Sequence, residues 1–320
     1  MERPGTSTVI CIVGPTASGK SALAQRVAIE VGGEIISADS MQIYRGMDIG
    51  TGKVPESERV VPHHGLDLVD PGEPYSAALF QAYARDCFDS IEKRGKRSVL
   101  CGGTGFYVRA AIDDYEFPKG EQVDNELRDE LNAFADERGA HALWERLLSV
   151  DPESAAIIPE NDVKRVVRAF ELIDEGFSYA QQKKKLASIP SFRESVLVGL
   201  SVDPDVLRGR ICDRVDQMVE DGLVEEVEKL LEQGFREGVT APQAIGYKEI
   251  VRVLDGASSL EEAIRDIKTA TCRYAKRQRT WFRKDKRIRW IDANGYDLDA
   301  MLDEALVEIE GETGGMQRRR

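Results

Sequence analysis

The stretch from Val9 to Ser21 constrains the fold more than any other. Val9-Ile10-Cys11-Ile12-Val13 is apolar and mostly β-branched, and Gly14-Pro15-Thr16-Ala17-Ser18-Gly19-Lys20-Ser21 after it fits G-x-x-x-x-G-K-[ST]. Residues 8–13 predict a buried parallel strand, a continuous apolar run because both faces are covered. Residues 20–31 have apolar positions at helical spacing and predict a helix closed by Gly32-Gly33. Strand, glycine loop and helix in that order form an anion site. Gly14 and Gly19 carry no β-carbon to hold a phosphate off the backbone. Successive N–H groups line the loop at the positive end of the helix. Lys20 supplies an ammonium, and the Ser21 hydroxyl can ligate a phosphate-bound Mg²⁺. The pattern implies a polyphosphate ligand and leaves its chemistry open.

Ile35 and Ile36 predict a second buried strand ending near Ala38. Asp39 and Ser40 then fall on the carboxyl edge of the sheet, the edge that carries the P-loop and binds ligands in open α/β sheets. Asp39 reads equally as a group near the phosphates and as a turn or cap residue. Gly46, Gly50 and Gly52 punctuate a polar loop and predict a flexible binding segment. His63–Val69 predicts a further strand, on which His63 and His64 face opposite ways, against a shared metal. Ser76 predicts the cap of a helix over 77–93. Arg97–Cys101 predicts a third strand, followed by Gly102-Gly103-Thr104-Gly105. P-loop ATPases often carry a Mg²⁺-binding acid at that strand end. Its absence counts against a motor ATPase or GTPase.

Residues 121–190 are charged and helix-rich, broken at Asp151-Pro152 and Ile158-Pro159, and predict a helical insertion in the core. Lys164, Arg165 and Arg168 fall on one side of a helix there, and Lys183-Lys184-Lys185 makes a second basic knot. Such runs are usually solvated faces. Ser195–Val202 returns to a buried strand, and Asp203-Pro204 opens a helix through Arg208, Arg210 and Arg214. A helix over 222–233 ends at Gly234, and another from about Ser259 runs into Arg273–Arg287. Cations dominate that last stretch, interleaved with Tyr274, Trp281 and Phe282, in a chain of net charge −13. Cations with aromatic platforms suit single-stranded nucleic acid; a solvated helix end is the competing reading. Ile288–Ile291 predicts the last core strand, and Gln317–Arg320 a frayed end.

At 320 residues the chain has room for one large or two modest domains. The five cysteines are widely spaced, with no C-x-x-C pair, which excludes a readable zinc finger and suits a reducing cytosol. Val9–Val13 is too short for a signal peptide, and no transmembrane span is readable.

Taken together the motifs resemble the bacterial tRNA dimethylallyltransferase family, also called tRNA isopentenyltransferases. The resemblance is carried by Gly14–Ser21, Ser37-Ala-Asp-Ser-Met-Gln-Ile-Tyr-Arg-Gly-Met-Asp-Ile-Gly-Thr51, Cys101-Gly-Gly-Thr-Gly-Phe-Tyr107, Ile245-Gly-Tyr-Lys-Glu249 and Tyr274-Ala-Lys-Arg-Gln-Arg-Thr-Trp-Phe-Arg283. It spans about residues 8 to 292. This chain has Gly52-Lys53-Val54 where the family usually has Ala-Lys-Pro, and Arg168-Ala-Phe-Glu171 where it commonly has Arg-Ala-Leu-Glu.

The resemblance implies an α/β fold, a P-loop NTPase-like parallel sheet core with an inserted all-helical domain. Its first part is residues 1–117, the tRNA-binding insertion 118–192, the second part with its basic segment 193–315, and the tail 316–320. It implies transfer of the dimethylallyl group of dimethylallyl diphosphate to N6 of adenosine 37 in tRNA. Gly14, Pro15, Thr16, Ala17, Ser18, Gly19, Lys20, Ser21 and Arg214 would bind diphosphate, with Mg²⁺ on Ser21. Asp39 would be the general base, with Thr16, Lys20 and Thr104 beside it. Asp39, Ser40, Met41 and Gln42 would receive a flipped base. Thr104, Arg128, Lys164, Arg165, Arg168, Gly246, Tyr247, Lys248, Lys276, Arg277, Gln278, Arg279, Thr280, Trp281, Phe282 and Arg283 would contact the anticodon stem-loop. The family implies a cytoplasmic monomer with no membrane and no obligate protein partner. The alternatives are an adenylate isopentenyltransferase acting on free AMP or ATP, a P-loop small-molecule kinase, and a non-catalytic RNA-binding module.

Overall fold

A computed structural model describes residues 7–117, 126–186 and 189–317. The chain divides into two compact units, Met1–Asp113 with Ser191–Arg320, and Asp114–Pro190. The predicted boundary at residue 118 lies outside the described residues.

The first unit is built on β1 (Val9–Val13), α1 (Lys20–Glu30), β2 (Gly33–Ser37), β3 (His63–His64), α2 (Ala77–Lys93), β4 (Arg97–Gly102) and α3 (Gly105–Ile112). The second holds α4 (Glu126–Arg138), α5 (Ala140–Val150), α6 (Pro152–Ala155), α7 (Val163–Asp174) and α8 (Tyr179–Leu186). After it the first unit resumes with β5 (Ser195–Ser201), α9 (Pro204–Glu220), α10 (Leu223–Leu231), α11 (Tyr247–Leu254), α12 (Leu260–Phe282), β6 (Ile288–Asp292) and α13 (Leu298–Gln317).

The six strands form one sheet in the order β3-β2-β4-β1-β5-β6, every neighbouring pair parallel. Alternation along the strands explains the layers. Ile10 and Ile12 of β1, Val99 of β4 and Val198 of β5 pack into one core with Leu23, Ile211, Ile267 and Met301 of the helices on that face. Val9, Cys11 and Val13, with Leu100 and Leu197, pack into another with Phe80, Phe88 and Tyr107. The sheet is therefore covered on both faces, and all its carboxyl ends point to one edge.

Two expectations are corrected. The strand predicted over 63–69 stops at His64, because Gly65 (φ 79°) and Asp67 (φ 54°) turn the backbone left-handed. Beyond the turn the Asp67 and Leu68 N–H groups bond Gln42 O and Ile43 O, and Val69 makes an isolated bridge to Tyr44 without resuming a strand. The chain also carries α13, which the sequence reading missed; its Met301, Leu302, Ala305 and Ile309 are core residues.

The second unit has its own core, in which Leu131, Leu143, Leu147, Val166 and Val167 meet. The break at Asp151-Pro152 is a cap: the Asp151 carboxylate accepts from Ser154 N at 3.0 Å and from the Ser178 hydroxyl at 2.9 Å.

Candidate active site

The loop Gly14–Ser21 leaves the end of β1 and enters the first turn of α1. Gly19 has φ 93° and Ala17 φ 59°, left-handed conformations that wrap the loop around its own N–H groups. A β-carbon at Gly19 would stand 2.6 Å from the Tyr296 ring, so a side chain is also excluded by space. The Lys20 ammonium donates to Pro15 O at 3.3 Å. Burial pushes that ammonium below the ordinary lysine value, while Cys101 and Asp39 nearby favour its charge. Among the described residues the buried Ser18 hydroxyl has no hydrogen-bond partner.

Beside the loop, β2 ends at Ser37, and Asp39 stands just beyond its carboxyl end. Asp39 Oδ1 accepts from Met41 N at 3.0 Å, so the turn role read for this residue is real. Among the described residues its second oxygen has no hydrogen-bond partner. Thr104 opens α3, and its hydroxyl accepts from Ser40 N at 3.1 Å, which ties the β4–α3 turn to the residue after Asp39. The Gln42 amide donates to Thr51 O and Gly52 O at 3.2 and 3.3 Å.

Two cavities meet here. The first is lined by Thr16, Lys20, Ser21, Ser37, Asp39, Gln42, Gly52, His63 and Arg214, and is mainly polar. The second, of about 250 Å³, is lined by Asp39, Ser40 and Met41, by Ile211, Val215, Met218, Ile245 and Ile267, and by Tyr274 and Arg277 at α12. Thr16, Asp39, Thr51 and Arg214 belong to both and form the wall between them. Burial pushes the Arg214 guanidinium below its ordinary value and Asp39 opposes the shift. Arg214 lies over Gly52, its Nη2 1.8 Å from where a β-carbon would stand, so this chain's glycine at 52 leaves room for the guanidinium.

The loop that forms the wall is pinned, not flexible as its glycines suggested. Glu226 of α10 accepts from the N–H groups of Asp48, Ile49 and Gly50 at 3.0, 2.8 and 3.2 Å, and from the Tyr247 hydroxyl at 2.6 Å. Lys53 is buried, with Asp48 and Asp67 carboxylates at 2.7 and 2.6 Å and Tyr44 O at 2.7 Å. The sequence reading missed both groups. No local signal separates Glu226 from the surface acids around it.

The residues expected to meet RNA divide sharply. Lys276, Arg277, Thr280, Trp281 and Arg283 of the α12 segment are exposed, and Arg277 stands 5.5 Å from the Tyr274 ring centre. Among the described residues Lys276, Arg277, Arg279 and Arg283 make no ion pair. Phe282 faces the core at 3% exposure, so it is no stacking platform. Gln278 is buried too, as is Tyr247, a fully enclosed ring under the Gly50 turn. Gly246 caps α11, its N–H donating to Glu249 at 2.8 Å, and Lys248 beside it is exposed. In the second unit Lys164 and Arg165 are exposed, Arg165 pairing with Asp162. Arg128 and Arg168 instead clamp the buried Glu171 carboxylate at 2.6 and 2.9 Å. Two cations on one buried acid are held by that acid, which lowers the Glu171 pKa against its burial.

The family profile described as IPP transferase matches residues 42–285, and that of isopentenyl transferase residues 7–61. A tRNA dimethylallyltransferase of Carboxydothermus hydrogenoformans is 46% identical over 304 residues, 94% of this chain and 96% of the relative. The chain belongs to the tRNA dimethylallyltransferase family. It is a transferase of the P-loop α/β class. Another family member, from Geobacillus thermodenitrificans, is 47% identical over 291 residues, 90% of this chain and 91% of its own. Among solved structures, a tRNA isopentenylpyrophosphate transferase from Bacillus halodurans aligns with TM-score 0.72 at 41% identity, covering 98% of this chain and 99% of that one. A eukaryotic dimethylallyltransferase acting on tRNA aligns with TM-score 0.80 at 28% identity, over 97% of this chain and 80% of that one. None of these family members favours the kinase or free-nucleotide reading.

Proposed function

We propose that the chain moves the dimethylallyl group of dimethylallyl diphosphate to N6 of adenosine 37 in the tRNA anticodon loop, giving N6-isopentenyladenosine. The observation that carries this reading is the pair of cavities joined at Thr16, Asp39, Thr51 and Arg214. The polar cavity suits a diphosphate held by the P-loop N–H groups, Lys20 and Arg214. The apolar one suits an allyl chain and a flipped base.

In this reading the N6 amine attacks the allylic carbon, and the carbon–oxygen bond to diphosphate breaks with its electron pair on oxygen. Asp39 accepts the proton from N6. The P-loop amides, Lys20 and Arg214 take up the charge growing on the leaving group, and the Thr16 hydroxyl hydrogen-bonds the bridging oxygen. The oxygen donors Ser21 and Asp39 on one polar cavity fit a hard divalent cation such as Mg²⁺, with Ser21 as its protein ligand. Bound there with diphosphate, Mg²⁺ would supply further neutralisation of the leaving group. The exposed cations of α12, with Lys248, Lys164 and Arg165, hold the stem-loop through its phosphates. Among the described residues no helix is long and apolar enough to cross a membrane, and we place the enzyme with its tRNA in the cytoplasm.

The test offers labelled dimethylallyl diphosphate and Mg²⁺, without ATP, to an unmodified anticodon stem-loop, with AMP and ATP as competing acceptors. Label on the stem-loop adenosine supports the reading. Label on AMP or ATP alone, or ATP turnover coupled to transfer, contradicts it.

A further inference from the structure

We propose that Gln278 is a positioning residue that ties the RNA-gripping helix to the diphosphate loop, acting through Thr16 and not by touching tRNA. The inference rests on the donor site proposed above. Gln278 lies inside the cationic run of α12, yet it is 5% exposed while Lys276, Arg277, Thr280 and Trp281 around it face solvent. Its side chain reaches two loops distant in sequence. Oε1 accepts from Thr16 N at 2.9 Å, and Nε2 donates to Gly103 O at 2.9 Å.

Those loops follow β1 and β4, which are neighbours in the sheet, so one side chain staples the carboxyl ends of both strands to α12. Glutamine is the side chain this geometry requires. One partner is a donor and the other an acceptor; glutamate offers no donor, lysine no acceptor, and asparagine is a methylene shorter. The approach is close enough that a β-carbon on Gly103 would stand 2.2 Å from Nε2, which explains the second glycine of the Gly102-Gly103-Thr104 turn. Tyr274, one turn earlier on α12, also lies against Gln278 and Thr104.

The consequence concerns Thr16, which lines both cavities. With its N–H held by Gln278, the peptide before Thr16 has one orientation, which fixes the Cα from which the Thr16 hydroxyl reaches the bridging oxygen. Docking of tRNA on α12 and stabilisation of the leaving group then share one rigid connection. A positioning defect of about 1 Å costs up to about 100-fold in rate.

The experiment compares Gln278→Met, which fills the space without either hydrogen bond, and Gln278→Asn with wild type. We expect stem-loop affinity and its salt dependence unchanged, dimethylallyl diphosphate affinity within about twofold, and single-turnover transfer slowed roughly 10- to 100-fold. In a Thr16→Ala background, where the hydroxyl is gone, Gln278→Met should cost nothing further. Additive losses, or a drop in stem-loop affinity with the rate unchanged at saturation, would overturn the proposal. Amide exchange in the protein without substrates reads the bond directly: the Thr16 N–H should exchange faster in both variants, and equal exchange rates would overturn the proposal whether or not a variant is active. A wild-type protein that transfers no prenyl group would defeat the donor-site reading, and the exchange experiment would still decide the Gln278 bond.

Discussion

Glu226→Gln should harm the protein nearly as much as Glu226→Ala, although it changes one atom and keeps the shape. All four partners of Glu226 are donors. Oε2 takes the Asp48 and Ile49 N–H groups, and Oε1 takes the Gly50 N–H and the Tyr247 hydroxyl. An amide has one oxygen; in its better orientation that oxygen keeps the Asp48 and Ile49 N–H groups, the Tyr247 hydroxyl turns to accept, and the NH₂ is left facing the Gly50 N–H. One hydrogen bond to a charged acceptor, about 1.5–3 kcal/mol, is lost, and those that remain fall to the neutral range of about 0.5–1.5 kcal/mol each. Asp48 is exposed, so water replaces part of this, leaving about 2–3 kcal/mol. For a unit of this size that is roughly 4–12 °C in Tm. The turn so released carries Gly50, Thr51 and Gly52 of the cavity wall, so KM for the prenyl diphosphate should rise severalfold. Thermal unfolding of wild type, Glu226→Gln and Glu226→Ala side by side is the assay. A Glu226→Gln protein within about 0.5 kcal/mol of wild type, with Glu226→Ala clearly weaker, would refute the four-donor argument.

Lys20→Ala should lose prenyl diphosphate binding by calorimetry and keep stem-loop binding, because Lys20 lines only the polar cavity; normal diphosphate affinity in the variant contradicts the assignment. Alanine at Lys276, Arg277 or Arg283, which are exposed and without ion pairs among the described residues, should each weaken stem-loop binding and reduce the log–log salt slope by about one. Arg128→Ala should instead destabilise the second unit, since it strips a cation from the buried Glu171, and unchanged unfolding would reject that role. For pH, the Arg94 guanidinium first, and His64 after it, hold the Glu34 carboxyl below its ordinary 4.5, against the opposing effect of burial. A lowered folded value contributes stability that is complete above about pH 4.5 and is lost as pH falls through the folded value. Glu34→Gln should therefore flatten the acid limb of stability against pH, and an identical limb in both proteins would exclude Glu34 as a source.

How much of this was readable in sequence depended on the range of the contacts. The P-loop was legible because Val9–Ser21 carries strand, turn and helix signals within one short segment. Asp39 was placed by topology alone, from a strand end on the same sheet edge. The strand over 63–69 was overread, since Gly65 and Asp67 sit where the backbone must turn left-handed. On α12 the helical phase was available: Ala263, Ile267, Ala275, Gln278 and Phe282 form one buried face. The dense charge drew attention to composition instead, and Phe282 and Gln278 were grouped with Trp281 and Arg279. The acidic texture of α13 hid its apolar stripe in the same way. The Glu226 bonds to the Asp48–Gly50 turn and the partners of Gln278 could not be read locally, because those bonds join residues 176 to 178 apart at the turn and 262 apart for Thr16.

The central claim is that Asp39 takes the proton from the attacking amine, and single-turnover transfer by Asp39→Asn tests it most directly. Asparagine keeps an oxygen for Met41 N, the 3.0 Å bond that holds the turn, so fold and both substrate affinities should be retained. It cannot accept the proton. The account predicts stability near wild type and a single-turnover rate down by ~10²–10⁴-fold at saturating stem-loop and prenyl diphosphate. A rate within a few-fold of wild type would leave Asp39 with its turn role only and contradict the account.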